Sequence, residues 1–116
     1  MTHTISRQDL HAKIAAWPPV VLIEALPEGQ YLKEHLPGAL NIPHDRTREL
    51  APSLLPDKQA EIVTYCASAT CQNSHIAAAA LRAMGYANVS VYGGGKQNWL
   101  DAGLPVEKGP SKAKAA

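Results

Sequence analysis

Residues 61–74 read EIVTYCASATCQNS, and this stretch decides the fold. Glu61 to Tyr65 are rich in β-branched residues and predict a strand that runs directly into Cys66. Small polar residues follow, and from Ser74 the sequence SHIAAAALRAM predicts a helix that ends at Gly85. The stretch therefore predicts a strand, a short loop that begins with a cysteine, and a helix.

The same alternation of apolar strand and helix occurs on both sides of this stretch. Further strands are predicted at 20–23, 39–42 and 89–92, and short helices at 6–17, 28–34, 45–50 and 97–102. Such buried strands, separated by helices, predict a doubly wound parallel α/β sheet flanked by helices on both faces. Ligands of these sheets bind beyond the carboxyl ends of the strands. We therefore expect four segments to meet at one edge: 24–26, 43–46, 66–73 and 93–96.

Length and composition limit the range of functions. With 116 residues the chain suits one domain, expected at 1–109 and followed by a flexible C-terminal tail at 110–116. A net charge of +1 argues against a protein that binds nucleic acid through many phosphates. No apolar run reaches the roughly 18 residues needed to span a bilayer, and the N-terminus lacks a signal-peptide pattern. We expect a cytoplasmic protein without nucleic-acid or membrane partners; the sequence does not indicate its oligomeric state.

Cys66 is the candidate nucleophile because of its place at the end of a central strand. Backbone N–H groups of the following loop can surround its sulfur as an anion cradle. The residues of this cradle are Ala67, Ser68, Ala69, Thr70, Cys71, Gln72 and Asn73. The dipole of the next helix adds positive charge, so we expect the pKa of Cys66 to lie below that of a free thiol. The alternative interpretation is a small buried side chain that ends a strand.

Three segments, in this order, resemble a single rhodanese domain. They are HLPGALNIP at 35–43, a strand ending in YC at Cys66, and VYGGGKQNWLDAGLPV at 91–106. The resemblance implies the rhodanese-like doubly wound fold and a sulfurtransferase with no cofactor. It implies that Cys66 takes a sulfane sulfur from a donor such as thiosulfate or a protein persulfide, becomes a persulfide, and passes the outer sulfur to cyanide or a thiol.

The chain departs from the family pattern at the loop. Family loops commonly have Arg five positions after the cysteine, where this chain has Cys71. No charged side chain lies between Cys66 and Ser74. Phosphatases of the same general fold need Arg six positions after the cysteine, and this chain has Gln72 there. The usual substrate preference therefore does not carry over, and phosphatase activity is not expected.

Cys71 permits a second hypothesis about function. It can resolve a persulfide or sulfenate on Cys66 by forming a disulfide, which would make the protein a low-turnover redox-sensing or sulfur-carrier module. The alternative interpretation is a small residue that packs behind the loop.

Cations for an anionic donor must come from outside the loop. His44, Arg46 and Lys96 are the candidates, because they follow strands whose carboxyl ends should face Cys66. Each has the alternative of being a solvated surface group. Cys66, Cys71 and His75 match no usual zinc spacing, and a helix N-terminus repels cations, so we expect no metal ion.

Overall fold

The computed structural model describes residues 3–110, which are built around a parallel sheet of five strands. The strands are β1 Thr4–Ile5, β2 Val21–Glu24, β3 Leu40–Asn41, β4 Glu61–Tyr65 and β5 Asn88–Tyr92. Their order in the sheet is β1-β5-β4-β2-β3. The strand that leads into Cys66 is thus the central one, hydrogen-bonded to β2 on one side and β5 on the other. The predicted parallel α/β architecture is confirmed.

Helices cover both faces of this sheet. They are α1 Arg7–Ala15, α2 Glu28–Lys33, α3 Thr47–Leu54, α4 Asn73–Ala83 and α5 Gly95–Asp101. Neighbouring residues of β4 point to opposite faces, so Ile62 packs in a cluster with α3 and α4, whereas Val63 packs in a cluster with α1, α2 and α5. The two clusters hold the central strand, and with it the start of the Cys66 loop, between two apolar layers.

The sequence pattern missed strand β1. Thr4 and Ile5 pair with Val91 and Tyr92 at the edge of the sheet, and the Val91 amide also donates to the carbonyl of His3 at 2.8 Å. Two residues are too few to show a strand period. β1 is therefore visible only through its pairing with β5.

The helical segment predicted at 45–50 is present but extends further in both directions. A 3-10 turn covers His44–Arg46, and α3 then continues to Leu54 through Pro52. Tertiary contacts hold the last turn of α3, because Ala51 and Leu55 are buried and their carbonyls accept hydrogen bonds from the Tyr86 hydroxyl at 3.2 and 2.6 Å. Packing here outweighs the helix-breaking tendency of proline.

The chain after α5 returns to the end of α2. Glu107 and His35 exchange two backbone hydrogen bonds of 2.8 and 2.9 Å, and the Gly109 amide donates to the Leu32 carbonyl at 2.9 Å. Apart from Pro110, the predicted tail at 110–116 lies outside the described residues, and the domain bounds 1–109 stay a prediction. Within residues 3–110, no helix has both the length and the apolar character that crossing a membrane requires.

Candidate active site

Backbone hydrogen bonds join three segments at the carboxyl end of β4. The Lys96 amide donates to the Cys66 carbonyl at 2.7 Å, and the Gln97 amide donates to the Ala67 carbonyl at 2.9 Å. From the other side, the Ala25 amide donates to the Tyr65 carbonyl at 2.8 Å. The segments that follow β2, β4 and β5 therefore meet at Cys66, as the topology predicts.

Gly95 lets α5 approach the Cys66 loop closely. Its φ is +73°, and an added Cβ would lie 2.7 Å from the Ser68 amide nitrogen and 2.8 Å from the Cys66 carbonyl oxygen. Only glycine combines this backbone conformation with such a close approach. The segment 93–96 was predicted to lie at this edge, but no role was given to Gly95, although the run of three glycines after β5 was a signal of one.

The Cys66 sulfur faces the first turn of α4. Cys66 is 1% exposed, and its thiol donates to the Ser74 hydroxyl at 3.4 Å and to the Cys71 carbonyl at 3.3 Å. Ser74 is itself held in place, because its carbonyl accepts a hydrogen bond from the Thr64 hydroxyl at 2.9 Å. Cys66 is thus a buried thiol between the central strand and a helix N-terminus.

The pKa expected for Cys66 was wrong in direction. Burial raises the pKa of the Cys66 thiol, and the interaction with the Cys71 thiol raises it further. Hydrogen bonds from the Ser74 hydroxyl and amide lower the pKa but do not outweigh these effects. The amides and the helix dipole alone predicted a lower pKa, but the loss of water around the buried sulfur acts in the opposite direction.

Cys71 is the more acidic of the two thiols. Its partial burial raises the pKa, but hydrogen bonds from the Cys66 thiol and from the amides of Asn73 and Ala67 outweigh this and lower it. Two amides of the predicted cradle therefore stabilise a negative charge on Cys71. The surroundings of the loop therefore favour ionisation of Cys71 and disfavour that of Cys66.

The remaining loop residues form a turn that projects from the sheet edge. The Cys71 amide donates to the Ser68 carbonyl at 3.2 Å, and the hydroxyls of Ser68 and Thr70 lie 3.1 Å apart. Ala69, Thr70 and Gln72 are exposed. The outer part of the predicted cradle is thus open to solvent.

Lys96 occupies a buried position beneath the loop. It is 8% exposed, and its ammonium donates to Glu24 Oε2 at 3.0 Å, to the Gln30 carbonyl at 3.2 Å and to the Glu34 carbonyl at 2.6 Å. Glu24, which is fully buried, also accepts a hydrogen bond of 2.7 Å from the Tyr65 hydroxyl. We call Glu24, Tyr65 and Lys96 the Lys96 cluster. Because three acceptors already surround the ammonium, this placement does not favour the predicted role of Lys96 in binding substrate.

Two opposing effects act on the carboxyl group of Glu24. Burial raises the pKa of Glu24, while the hydrogen bonds from Tyr65 and Lys96 lower it in part. Burial and the neighbouring Glu24 raise the pKa of Tyr65 well above its ordinary value, so the phenol stays protonated and keeps donating to the carboxylate. The Lys96 cluster is therefore a structural element beneath the Cys66 loop in which each charged group has hydrogen-bond partners.

His44 and Arg46 are not brought to the cavity beside the loop. Arg46 forms two hydrogen bonds of 3.2 and 2.8 Å with the carboxylate of Glu49, a neighbour on the same exposed surface. His44 lines a separate cavity of about 390 Å³ together with Arg48 and Ile76, next to α4. Their predicted part in substrate binding stays a prediction, and no contact with Cys66 supports it.

A cavity of about 190 Å³ opens beside Ala67. Its walls come from the ends of β2, α2 and α5: Leu26, Gln30, Lys33, Glu34, Lys96, Gln97 and Leu100. Lys33 is exposed, and its ammonium forms no ion pair within residues 3–110. The sequence argument missed Lys33 because it considered only the residues directly after each strand, whereas Lys33 reaches this edge from the end of α2.

A larger apolar cavity of about 560 Å³ lies at the opposite edge of the sheet. Its walls include Val21, Leu40 and Ile62, which stand at or near the amino ends of their strands. It is therefore remote from Cys66.

The comparisons with known proteins agree with this arrangement. The family model "Rhodanese-like domain" matches residues 6–102. The chain is 37% identical over 80 residues to thiosulfate sulfurtransferase PspE of Escherichia coli, covering 69% of this chain and 71% of that protein. It is 34% identical over 90 residues to the HTH-type transcriptional regulator Rv0324 of Mycobacterium tuberculosis, covering 78% of this chain. That match spans only 38% of the regulator's length.

A solved structure with the same fold is a rhodanese with anions from Escherichia coli. It has a TM-score of 0.64 and 31% sequence identity, and the match covers 77% of this chain and 98% of that chain. The residues matched to the family model include both Cys66 and Gly95. The fold is thus shared with known proteins over most of the chain.

Proposed function

Because the chain belongs to the rhodanese-like domain family, we propose that it is a sulfurtransferase in which Cys66 carries the transferred sulfur. The observation that carries the proposal is the place of the Cys66 thiol, at the end of the central strand and against the Ser74 hydroxyl on the first turn of α4. A relative that is 37% identical is a thiosulfate sulfurtransferase. Thiosulfate, or a protein persulfide, is accordingly the proposed donor.

The proposed reaction has two steps: a sulfur atom is transferred from the donor to Cys66, and then from Cys66 to an acceptor. The Cys66 thiolate attacks the outer sulfur of thiosulfate, the sulfur–sulfur bond of the donor breaks, and sulfite leaves with the electron pair. An acceptor such as cyanide or a thiol then takes the outer sulfur of the Cys66 persulfide. Neither step needs an organic cofactor or a metal ion. The proposed partners are thus a small sulfur-containing anion and a thiol acceptor.

The residues around Cys66 have distinct roles in this proposal. Ser74 donates to the thiolate from its hydroxyl and its amide, which favours ionisation of an otherwise buried thiol. Gly95 keeps the loop against α5, and Lys33 supplies a cation beside the cavity next to Ala67. The outer loop amides would stabilise negative charge on the persulfide, in the manner of an oxyanion hole.

The test of the proposal is the formation of thiocyanate from thiosulfate and cyanide. With cyanide in large excess, so that it takes the outer sulfur first, we expect the wild type to form thiocyanate and Cys66→Ser to fall to the rate measured without protein. Circular dichroism of both proteins controls for folding. Equal rates for a folded Cys66→Ser variant and the wild type would refute the proposal.

A second candidate is a low-turnover redox or sulfur-carrier module, which the contact of the Cys66 thiol with Cys71 favours. Such a module would react once with thiosulfate or with peroxide and then stop, even in the presence of cyanide. Continued thiocyanate release over many equivalents would exclude it. The predicted cytoplasmic location and the predicted lack of nucleic-acid and membrane partners stay predictions.

A further inference from the structure

The two cysteines of the loop are in direct contact. The Cys66 thiol donates to the Cys71 carbonyl at 3.3 Å, and the nearby Cys71 thiol raises the pKa of Cys66. Both cysteines are free, and the four residues between them are small. A chain of small residues between two cysteines can adjust to the short distance that a disulfide requires.

We propose that Cys71 attacks the Cys66 persulfide and forms a disulfide with Cys66. The protein then reduces thiosulfate to sulfite and sulfide, with an external thiol as the final reductant. This inference rests on the proposed function, because it requires the Cys66 persulfide as its starting point. It adds a reductase activity in which the Cys66–Cys71 disulfide is an obligatory intermediate.

The internal step balances in atoms and electrons. The Cys71 thiolate attacks Sγ of the Cys66 persulfide, the bond between Sγ and the outer sulfur breaks, and the outer sulfur leaves as hydrosulfide with the electron pair. The sulfane sulfur is reduced to sulfide, and the two cysteine sulfurs are oxidised to a disulfide. Two equivalents of an external monothiol, or one of a dithiol, then reduce the disulfide and restore both cysteines.

Access to the inner sulfur favours the internal thiol over an external one. Cys66 is 1% exposed, so a bulky thiol cannot readily reach its Sγ, whereas Cys71 lies beside it, with its carbonyl oxygen 3.3 Å from that sulfur. An attacking group held in contact reacts as if it were present at a very high concentration. Cys71 is also held as the more readily ionised thiol, by the amides of Asn73 and Ala67.

The test is a single turnover without any reductant. The full chain is reduced, desalted under nitrogen and mixed with excess thiosulfate, after which free sulfide and the intact mass are measured. External thiol is left out because it releases sulfide by itself. We expect the wild type to release one equivalent of sulfide and to lose the mass of two hydrogen atoms. A sample without thiosulfate controls for disulfide formation by residual oxygen.

Variants separate the internal step from the first one. Cys71→Ser and Cys71→Ala should gain the mass of one sulfur atom and release no more sulfide than Cys66→Ser. The inference is overturned if the wild type keeps the added sulfur, releases no sulfide and yields thiocyanate with cyanide; in that case the proposed function stands. If neither Cys71 variant gains sulfur and the wild type forms no thiocyanate, the proposed function itself fails.

Discussion

The Lys96 cluster and the Cys66 loop lie at the same edge of the sheet but differ in charge. In the cluster, a phenol and an ammonium are buried and both donate hydrogen bonds to a buried carboxylate. In the loop, no charged side chain occurs between Cys66 and Ser74. Lys96 joins the two regions, because its ammonium belongs to the cluster while its amide binds the Cys66 carbonyl.

This difference assigns the buried charges of the Lys96 cluster to support of the sheet edge, because they are paired with one another. A buried ammonium with three acceptors cannot also neutralise an incoming anion without losing those bonds. In the proposed function, the loop therefore binds an anionic donor through backbone amides, the Ser74 hydroxyl and its two thiols. Near-neutral net charge agrees with recognition that acts at short range.

The largest expected effect is a loss of stability when the ammonium of the Lys96 cluster is removed. Lys96→Ala leaves Glu24 buried without its cation, so we expect the free energy of unfolding to fall by about 3–5 kcal/mol. The loss should shrink as the pH is lowered, because burial already raises the pKa of Glu24 and a protonated carboxyl needs no cation. Urea unfolding at several pH values measures both effects.

A double variant controls this experiment. Lys96→Met combined with Glu24→Gln removes both charges together, and we expect it to recover much of the stability that Lys96→Ala loses. If Lys96→Ala costs less than about 1 kcal/mol, as a surface ion pair would, the cluster is not the support described here.

The close approach of α5 to the loop should have the next largest effect. Gly95→Ala pushes a Cβ into the backbone at Ser68 and Cys66, so we expect kcat/KM for sulfur transfer to fall by about 10²-fold through displacement of the loop. Gly93→Ala is the matched control, since its added Cβ would meet no atom within 4 Å. Equal activity of the two variants would show that the approach of α5 does not position Cys66.

A smaller effect is expected at the cavity beside the loop. Lys33→Ala should raise KM for thiosulfate by about two- to fivefold at low ionic strength, the size expected of an exposed charge. The difference should disappear in high salt, which screens exposed charges. Arg46→Ala is the control, since Arg46 is paired with Glu49 away from this cavity. A larger rise of KM in Arg46→Ala than in Lys33→Ala would restore the sequence-based assignment.

The smallest effect concerns the ionisation of Cys66. The Cys71 thiol raises the pKa of Cys66, so Cys71→Ser should lower it and make Cys66 alkylation begin at lower pH. The rate of Cys66 alkylation, followed by peptide mass against pH, measures the shift. A profile that moves to higher pH in the variant would contradict the described interaction between the two thiols.

Local patterns were sufficient to predict the central part of the fold. The strand at 61–65, the loop cysteine and the helix that begins at Asn73 rest on β-branched residues and an alanine-rich run, which act within a few residues. The parallel sheet followed from their repetition. β1 and the last turn of α3 were missed, because they depend on β5 and on Tyr86, which are distant in sequence.

The site was predicted in its location but not in its electrostatics. Lys96 meets Glu24 across 72 positions of sequence, so no local pattern shows that its ammonium is already paired. The pKa of Cys66 depends on how completely helices and loop cover the sulfur, and composition does not reveal this. Amides near a cysteine predict a nucleophile only when the burial of its sulfur is also known.

The most direct test of the central claim is to observe the sulfur on Cys66. Cys71→Ser, which leaves Cys66 without an internal acceptor, is treated once with thiosulfate, freed of excess reagent and weighed by intact-mass spectrometry before and after cyanide. The account predicts the gain of one sulfur atom, its complete removal as thiocyanate, and no gain in Cys66→Ser. A folded Cys71→Ser protein without added sulfur, or a Cys66→Ser protein that gains it, would contradict the account.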